Sequence, residues 1–213
     1  MYDTASISLT IDVTEYGKME SRLFAGEACG GDIIDIATSK PVTYNHHHDG
    51  VSPDILEADE GANNMFVITS TSVAPNGLRF VASIEARDFD TYPYYGVQWH
   101  PEKNGFEHSA LSGTDIAYNS VIDRSQDAIR VSNVLITNFI TEVQKSTHVY
   151  KDVDRFPLIW NYEIAQSKKF EQLYFIPSPK STEKNHEQDR EDNAAPAVAN
   201  LRGISQESSV KML

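Results

Sequence analysis

The 213-residue sequence has a single cysteine, Cys29, so no internal disulfide can form. Long apolar runs are also missing, because no stretch approaches the roughly 18 apolar residues of a membrane-spanning helix. Lys and Arg number only 18 against 31 Asp and Glu, which gives a net charge of −13. This balance argues against a nucleic-acid partner, since phosphate backbones are bound mainly by clustered basic residues. The amino terminus lacks the profile of a signal peptide, so the sequence by itself indicates a soluble cytosolic protein.

The composition, 40% hydrophobic with ten tyrosines and nine phenylalanines, is typical of a globular protein. Its length lies in the range of one domain. Residues 178–213 contain no aromatic residue and are rich in Lys, Glu, Asp, Ser and Asn. Such a segment buries too little apolar area to offset its ordering entropy. The sequence therefore predicts one ordered α/β unit over residues 1–177 and a disordered tail over 178–213.

Hydrophobic periodicity predicts the secondary structure of the ordered unit. Apolar residues at three- and four-residue steps indicate a helix from Ser125 to about Lys145. Asn76-Gly77 between two β-type runs is a strong hairpin signal. Residues 53–56 form a helical turn, and 33–37 either a helical turn or a packing segment. Strands are predicted at residues 7–13, 40–44, 65–70, 78–86, 94–99, 159–162 and 173–176.

The most suggestive chemistry lies at His100-Pro101-Glu102, at the end of an apolar strand. In extended backbone, residues two apart project to the same side, so this imidazole and carboxylate could converge. A carboxylate bound to one ring nitrogen fixes the tautomer and leaves the other nitrogen to serve a nucleophile. The alternative is an ordinary loop histidine beside a surface glutamate.

Three adjacent histidines, His46, His47 and His48, precede Asp49. Neighbouring residues rarely aim at one metal ion, and common sites use wider spacings or ligands from separate segments. The sequence therefore predicts no metal site here and favours a substrate-side or structural role for the run.

Cys29 is the one possible thiol nucleophile in the sequence. A nucleophile elbow needs an apolar strand directly before it and a helix directly after it. The residues before Cys29 do not form such a strand, and 32–37 is too brief for a convincing helix. Cys29 is therefore interpreted as a loop or packing residue.

The run from Tyr92 to Asn104, Tyr-Pro-Tyr-Tyr-Gly-Val-Gln-Trp-His-Pro-Glu-Lys-Asn, resembles the histidine motif of the γ-glutamyl hydrolases. Those enzymes are relatives of the class I glutamine amidotransferases and trim poly-γ-glutamate from folates. Weaker matches follow in the same order along the chain: Ser21-Arg22-Leu23-Phe24, residues 45–53, the Asn76-Gly77 hairpin, the helix from Ser125 and residues 170–174.

The resemblance implies the later part of a class I glutamine amidotransferase-like three-layer αβα sandwich. It also implies that His100 is the catalytic histidine, Glu102 its acidic partner and His47 a histidine near the substrate. The substrate would be a folyl or antifolate poly-γ-glutamate, with no cofactor, no metal and no membrane partner, and a homodimer is compatible with it. The family is lysosomal, vacuolar or secreted, whereas no signal peptide is seen here.

The family's Gly-x-Cys-x-Gly nucleophile turn is expected before residue 1, so the chain as given is expected to be inactive. Three interpretations stay open. The chain is a fragment of an active hydrolase, or a true product that lacks the nucleophile and binds a γ-glutamyl ligand or a partner subunit. The third is the glutaminase part of an amidotransferase, against which the long sequence after Glu102 argues.

Overall fold

The computed structural model describes residues 1–24, 31–107, 121–151, 157–165 and 173–176. Helices and strands are mixed along this part of the chain, which confirms the expected mixture of α and β structure. The boundary predicted at residue 177, the tail and Cys29 lie outside the described residues. In chain order the elements are β1 (Thr4–Leu9), β2 (Asp12–Val13), α1 (Glu15–Met19), α2 (Asp32–Ser39), β3 (Thr43–His47), α3 (Pro53–Ala58), α4 (Glu60–Met65), β4 (Phe66–Val73), β5 (Arg79–Ala86), β6 (Tyr95–Val97), α5 (Pro101–Phe106), α6 (Gln126–Val143), β7 (Ile164–Ala165) and β8 (Leu173–Tyr174).

The largest described sheet has four antiparallel strands in the order β2-β4-β5-β6. The hairpin predicted between β4 and β5 is confirmed, and Gly77 at its turn has a φ of +81°, a conformation that side chains disfavour. Beyond β6, Gln98 N donates to Ala82 O at 2.8 Å, so the pairing with β5 continues toward His100. Strands β1 and β3 form a separate antiparallel pair, as do β7 and β8.

Two predicted strands are wrong. The alternating run 7–13 is divided between β1 and β2, which belong to different sheets. The chain leaves the first sheet near Thr10, and Ile11 N then donates to Ala37 O at 3.0 Å, so its hydrogen bond goes to α2. Residues 159–161 form a 3-10 turn, in which Tyr162 N donates to Ile159 O at 3.1 Å. Trp160 in this turn is exposed, so the short apolar run has no buried face that would favour a strand.

The main core lies where α2 and α6 pack beside the sheets. Helix α6 confirms the predicted long helix, and the Ser125 hydroxyl caps it by accepting from Ala128 N at 3.2 Å. Residues 32–37 belong to an eight-residue helix, α2, so their interpretation as too brief for a convincing helix is wrong, and the helical option for 33–37 is confirmed. The buried residues that join the helices to the sheets are Ile11, Val13, Ile33, Ile36, Ala37, Phe80, Ala82, Trp99, Ala128, Val131 and Leu135. Within the described residues, no helix is long and apolar enough to cross a membrane.

Candidate active site

His100 lies at the junction between the large sheet and strand β3. Strand β6 ends at Val97, and three residues later His100 N donates to Tyr44 O of β3 at 2.9 Å. His100 is then the N-cap of α5, and Pro101 occupies the first turn, where its missing N–H is not needed. The chain therefore passes from the segment after β6 into helix α5 at His100.

The side chains of His100 and Glu102 meet, with Nδ1 and Oε1 2.8 Å apart. The spacing predicted this contact, but the reason given for it is wrong. Glu102 is in the first turn of α5 rather than in extended backbone, so the carboxylate folds back onto its own N-cap residue. Nδ1 is therefore the nitrogen that carries the hydrogen for Glu102, and Nε2 is left as the basic nitrogen.

Glu102 is held as a carboxylate. Partial burial by itself raises its pKa, but the hydrogen bond from His100 and a backbone N–H lower it. The charges of His100 and Lys103 lower it further, and the pKa lies below the usual value of 4.5. An ionised partner stabilises the imidazolium that forms when the histidine takes up a proton.

His47 lies near the end of β3, packed edge-on against the Phe80 ring at 5.0 Å. Its ring nitrogens both face oxygen atoms: Nδ1 is 2.8 Å from Asp49 O, and Nε2 is 3.1 Å from Oδ1 of Asn45. Asn45 is buried, and its Nδ2 donates to Thr43 O at 2.9 Å, which fixes Oδ1 toward the ring.

Burial lowers the pKa of the His47 imidazole, and the bond to Asp49 O opposes that shift. The charges of His100 and His48 lower the pKa further. Because this pKa lies below the usual 6.5, His47 is a neutral imidazole at neutral pH. Strand β3 connects these two predicted site residues. His47 is part of the strand, and His100 N donates to the Tyr44 carbonyl in the same strand.

Tyr44 links another histidine of the run, His46, to the His100 ring, whose centroid lies 6.3 Å from that of the Tyr44 ring. The His46 ring stacks on Tyr44, and its Nδ1 lies 3.0 Å from the Ser6 hydroxyl. His48 is exposed. Within the described part of the chain, no three His, Cys, Asp or Glu side chains are arranged to hold a metal ion.

A buried carboxylate, Glu85, was not predicted from the sequence. It lies on β5 with 1% of its surface exposed, and its Oε1 accepts from Arg22 N at 2.8 Å. Burial raises its pKa, although hydrogen bonds from the Ser21 hydroxyl and the backbone of Arg22 and Leu23 oppose the shift. The signal in the sequence was a lone glutamate inside an apolar strand. Glu85 faces the Ser21-Arg22 turn, and it is paired across the sheet with Tyr95.

Known proteins similar to the chain share one name. It is 28% identical over 172 residues to Gamma-glutamyl hydrolase B of Dictyostelium discoideum, which covers 78% of the chain and 46% of that protein. It is 28% identical over 179 residues to Gamma-glutamyl hydrolase of Bos taurus, covering 82% of the chain and 52% of the relative. Gamma-glutamyl hydrolase 2 of Arabidopsis thaliana is 35% identical over 105 residues, covering 49% of the chain and 27% of the relative. These matches support the assignment of the chain to the γ-glutamyl hydrolases.

No protein-family model matches the chain. The chain spans about half the length, or less, of the curated relatives it matches: 46% of the Dictyostelium protein and 27% of the Arabidopsis one. These relatives agree with the resemblance carried by the histidine motif. The roles of His100, Glu102 and His47 stay predictions, to which the geometry adds the contacts described above.

Proposed function

We propose that this chain carries the general-base part of a Cys-His site that hydrolyses γ-glutamyl bonds. The observation that carries the proposal is the 2.8 Å contact between His100 Nδ1 and Glu102 Oε1, made beside the strand of His47. Glu102 fixes the tautomer and orientation of the imidazole, and Nε2 is the atom that would exchange a proton with a thiol. The similarity of the chain to γ-glutamyl hydrolases supports this choice of bond.

In this mechanism a cysteine thiolate attacks the γ-glutamyl amide carbonyl, and backbone N–H groups stabilise the oxyanion. His100, protonated through its pairing with the thiol, donates a proton to the leaving amine as the C–N bond breaks. The same imidazole then takes a proton from water, which attacks the thioester and releases the γ-glutamyl acid and the thiol. His47 lies beside the substrate. The substrates are folyl poly-γ-glutamates, and the chemistry needs neither a metal nor an organic cofactor.

The thiolate in this proposal does not come from Cys29. Glu27 stands where a Gly-x-Cys-x-Gly turn around Cys29 would require glycine. The nucleophile would instead belong to a turn outside these 213 residues. Residues 1–177 would then be the later part of a three-layer αβα sandwich of the amidotransferase type, followed by a disordered tail over 178–213.

A second function is favoured by the same cysteine count. With one cysteine in an unsuitable setting, the chain is suited to bind a γ-glutamyl ligand, or an intact partner subunit, without cleaving a bond. In this case His100 and His47 would contact the ligand as hydrogen-bonding groups.

Covalent labelling separates these two functions. Protein is expressed from the natural transcript, with any coding sequence 5′ of Met1 included, and is treated with a glutamine-like chloromethyl ketone. The hydrolase proposal expects an adduct, mapped by mass spectrometry, on a cysteine other than Cys29, and Cys29→Ser leaves the yield unchanged. No adduct together with saturable binding of poly-γ-glutamate supports the binding function, while an adduct on Cys29 contradicts the choice of nucleophile.

A further inference from the structure

The short helix α5, which begins directly after His100, contacts the rest of the molecule through polar residues. Its buried residues are Lys103 and Asn104, and none of its apolar side chains is buried. Phe106, its large apolar residue, is 65% exposed. Because so short a helix has little stability of its own, tertiary contacts must hold it in place. Here those contacts are hydrogen bonds rather than apolar packing.

Arg124 donates from Nε and Nη2 to Glu107 O at the C-cap of the helix, and three other contacts are made by Asn104. Its Nδ2 donates to Val42 O at 3.3 Å and to Asp123 O at 2.8 Å, and its Oδ1 accepts from the Ser132 hydroxyl at 3.1 Å. The side chain is fully buried. One amide therefore joins α5 to the start of β3, to the loop before α6 and to α6 itself. Its loss would leave buried carbonyl groups without their donor, which is costlier than losing an exposed hydrogen bond.

Two of the hydrogen bonds fix the His100 segment to one edge of β3. His100 N donates to Tyr44 O at 2.9 Å, and one helical turn later Asn104 Nδ2 donates to Val42 O at 3.3 Å. Val42 and Tyr44 are two residues apart, so their carbonyl groups point to the same side of the strand. Between these two attachments lies Glu102, and three residues beyond Tyr44 on the same strand lies His47.

We propose that Asn104 is a positioning residue that holds the His100-Glu102 pair at a fixed distance from His47 on β3. It touches neither substrate nor reacting atoms in this scheme. Its importance for catalysis rests on the proposed hydrolase function, whereas the geometry it maintains does not. Besides the backbone bond of His100, Asn104 attaches the helix on the side of β3, whereas the two Arg124 bonds to Glu107 O hold its far end.

The charge of His100 offers a direct readout of that distance, because it lowers the pKa of His47. The His47 titration is followed by NMR of its imidazole carbon-bound protons in the full chain. His100→Gln is expected to raise the His47 midpoint in the parent protein. In an Asn104→Ala background the same substitution is expected to give a rise smaller by about half or more, since charge interactions weaken with distance and with entry of water.

Ser132→Ala is the matched control. It removes the donor to Oδ1 but leaves both Nδ2 bonds, including the one to Val42, so the coupling of the two histidines is expected to persist. If Asn104→Ala does not fold, Asn104→Ser tests the same point with a polar side chain too short to reach Val42 O.

An undiminished coupling in either folded Asn104 variant overturns the proposal, and so does an equal loss in Ser132→Ala. The proposal is also overturned if His100→Gln does not move the His47 midpoint in the parent protein, because the two rings would then lie too far apart for their charges to interact. No substrate is used in these titrations. A failure of the hydrolase function would therefore leave this result unchanged, and the two outcomes are distinguishable.

Discussion

At the scale of single residues, Glu85 is a buried carboxyl group whose charged form is disfavoured by desolvation. Its carboxyl group is 1% exposed, and Oε2 has no hydrogen-bond partner among the described residues. Burial raises its pKa above the usual 4.5, so the folded state binds the proton more tightly than the unfolded chain does. Stability is therefore fully present below pH 4.5 and is lost as the pH rises through the folded-state pKa.

Glu85→Gln removes this titration and keeps an oxygen that can accept from Arg22 N. We expect the free energy of unfolding of the variant, relative to the parent, to increase as the pH is raised from 4.5 to neutrality. Urea denaturation at a series of pH values measures it. Glu57→Gln, at an exposed position of α3, is the matched control. A pH-independent difference for Glu85→Gln would show that this carboxyl group does not titrate differently on folding.

Single residues also show which features of the candidate site could be predicted from the sequence. The His100-Glu102 contact follows from a two-residue spacing, which is local information, so it could be predicted even though the backbone there is helical. Glu85 and Asn104 could not be predicted, because their roles depend on burial by segments distant in sequence. Asn104 bonds to Val42 and Ser132, which are 62 and 28 residues away. No periodicity of the motif itself encodes those partners.

At the scale of elements, α6 shows both the strength and the limit of periodicity. Its apolar steps predict the helix correctly, and Ala128, Val131 and Leu135 are buried. The same pattern continues through Phe139 and Val143, which are 57% and 52% exposed. A repeat along one helix reports which side chains share a face, but how far that face is covered depends on its neighbours. Strand 7–13 failed for a related reason, since alternation does not show which sheet each residue joins.

The unequal burial of α6 leads to a paired prediction. Leu135→Ala, at a side chain 6% exposed in the main core, should lower the free energy of unfolding by about 2–4 kcal/mol. Phe139→Ala, one turn later, should change it by no more than about 0.5 kcal/mol in the same chain. Thermal or denaturant unfolding of the two variants provides the comparison. A cost at Phe139 equal to that at Leu135 would mean that this last turn is covered by something that packs on it.

At the scale of the whole molecule, strand β3 connects the His100-Glu102 pair to His47, the third predicted site residue. One edge pairs with β1, and the other accepts His100 N at Tyr44 O and Asn104 Nδ2 at Val42 O. The strand also carries His47, whose side chain is oriented by Asn45. The arrangement shows that a chain spanning about half of the Dictyostelium relative holds the proposed site residues in a defined geometry.

Hydrolysis by a His100 variant tests whether this imidazole is the general base of the proposed site. Protein expressed from the natural transcript, with any coding sequence 5′ of Met1 included, is assayed for release of glutamate from poly-γ-glutamate. His100→Gln should lower kcat by roughly 100-fold or more, the range expected for loss of a general acid-base group. His48→Gln, in the neighbouring histidine run, should leave kcat unchanged. Turnover that survives in His100→Gln would contradict the catalytic role of His100. A parent protein that releases no glutamate would contradict the hydrolase function.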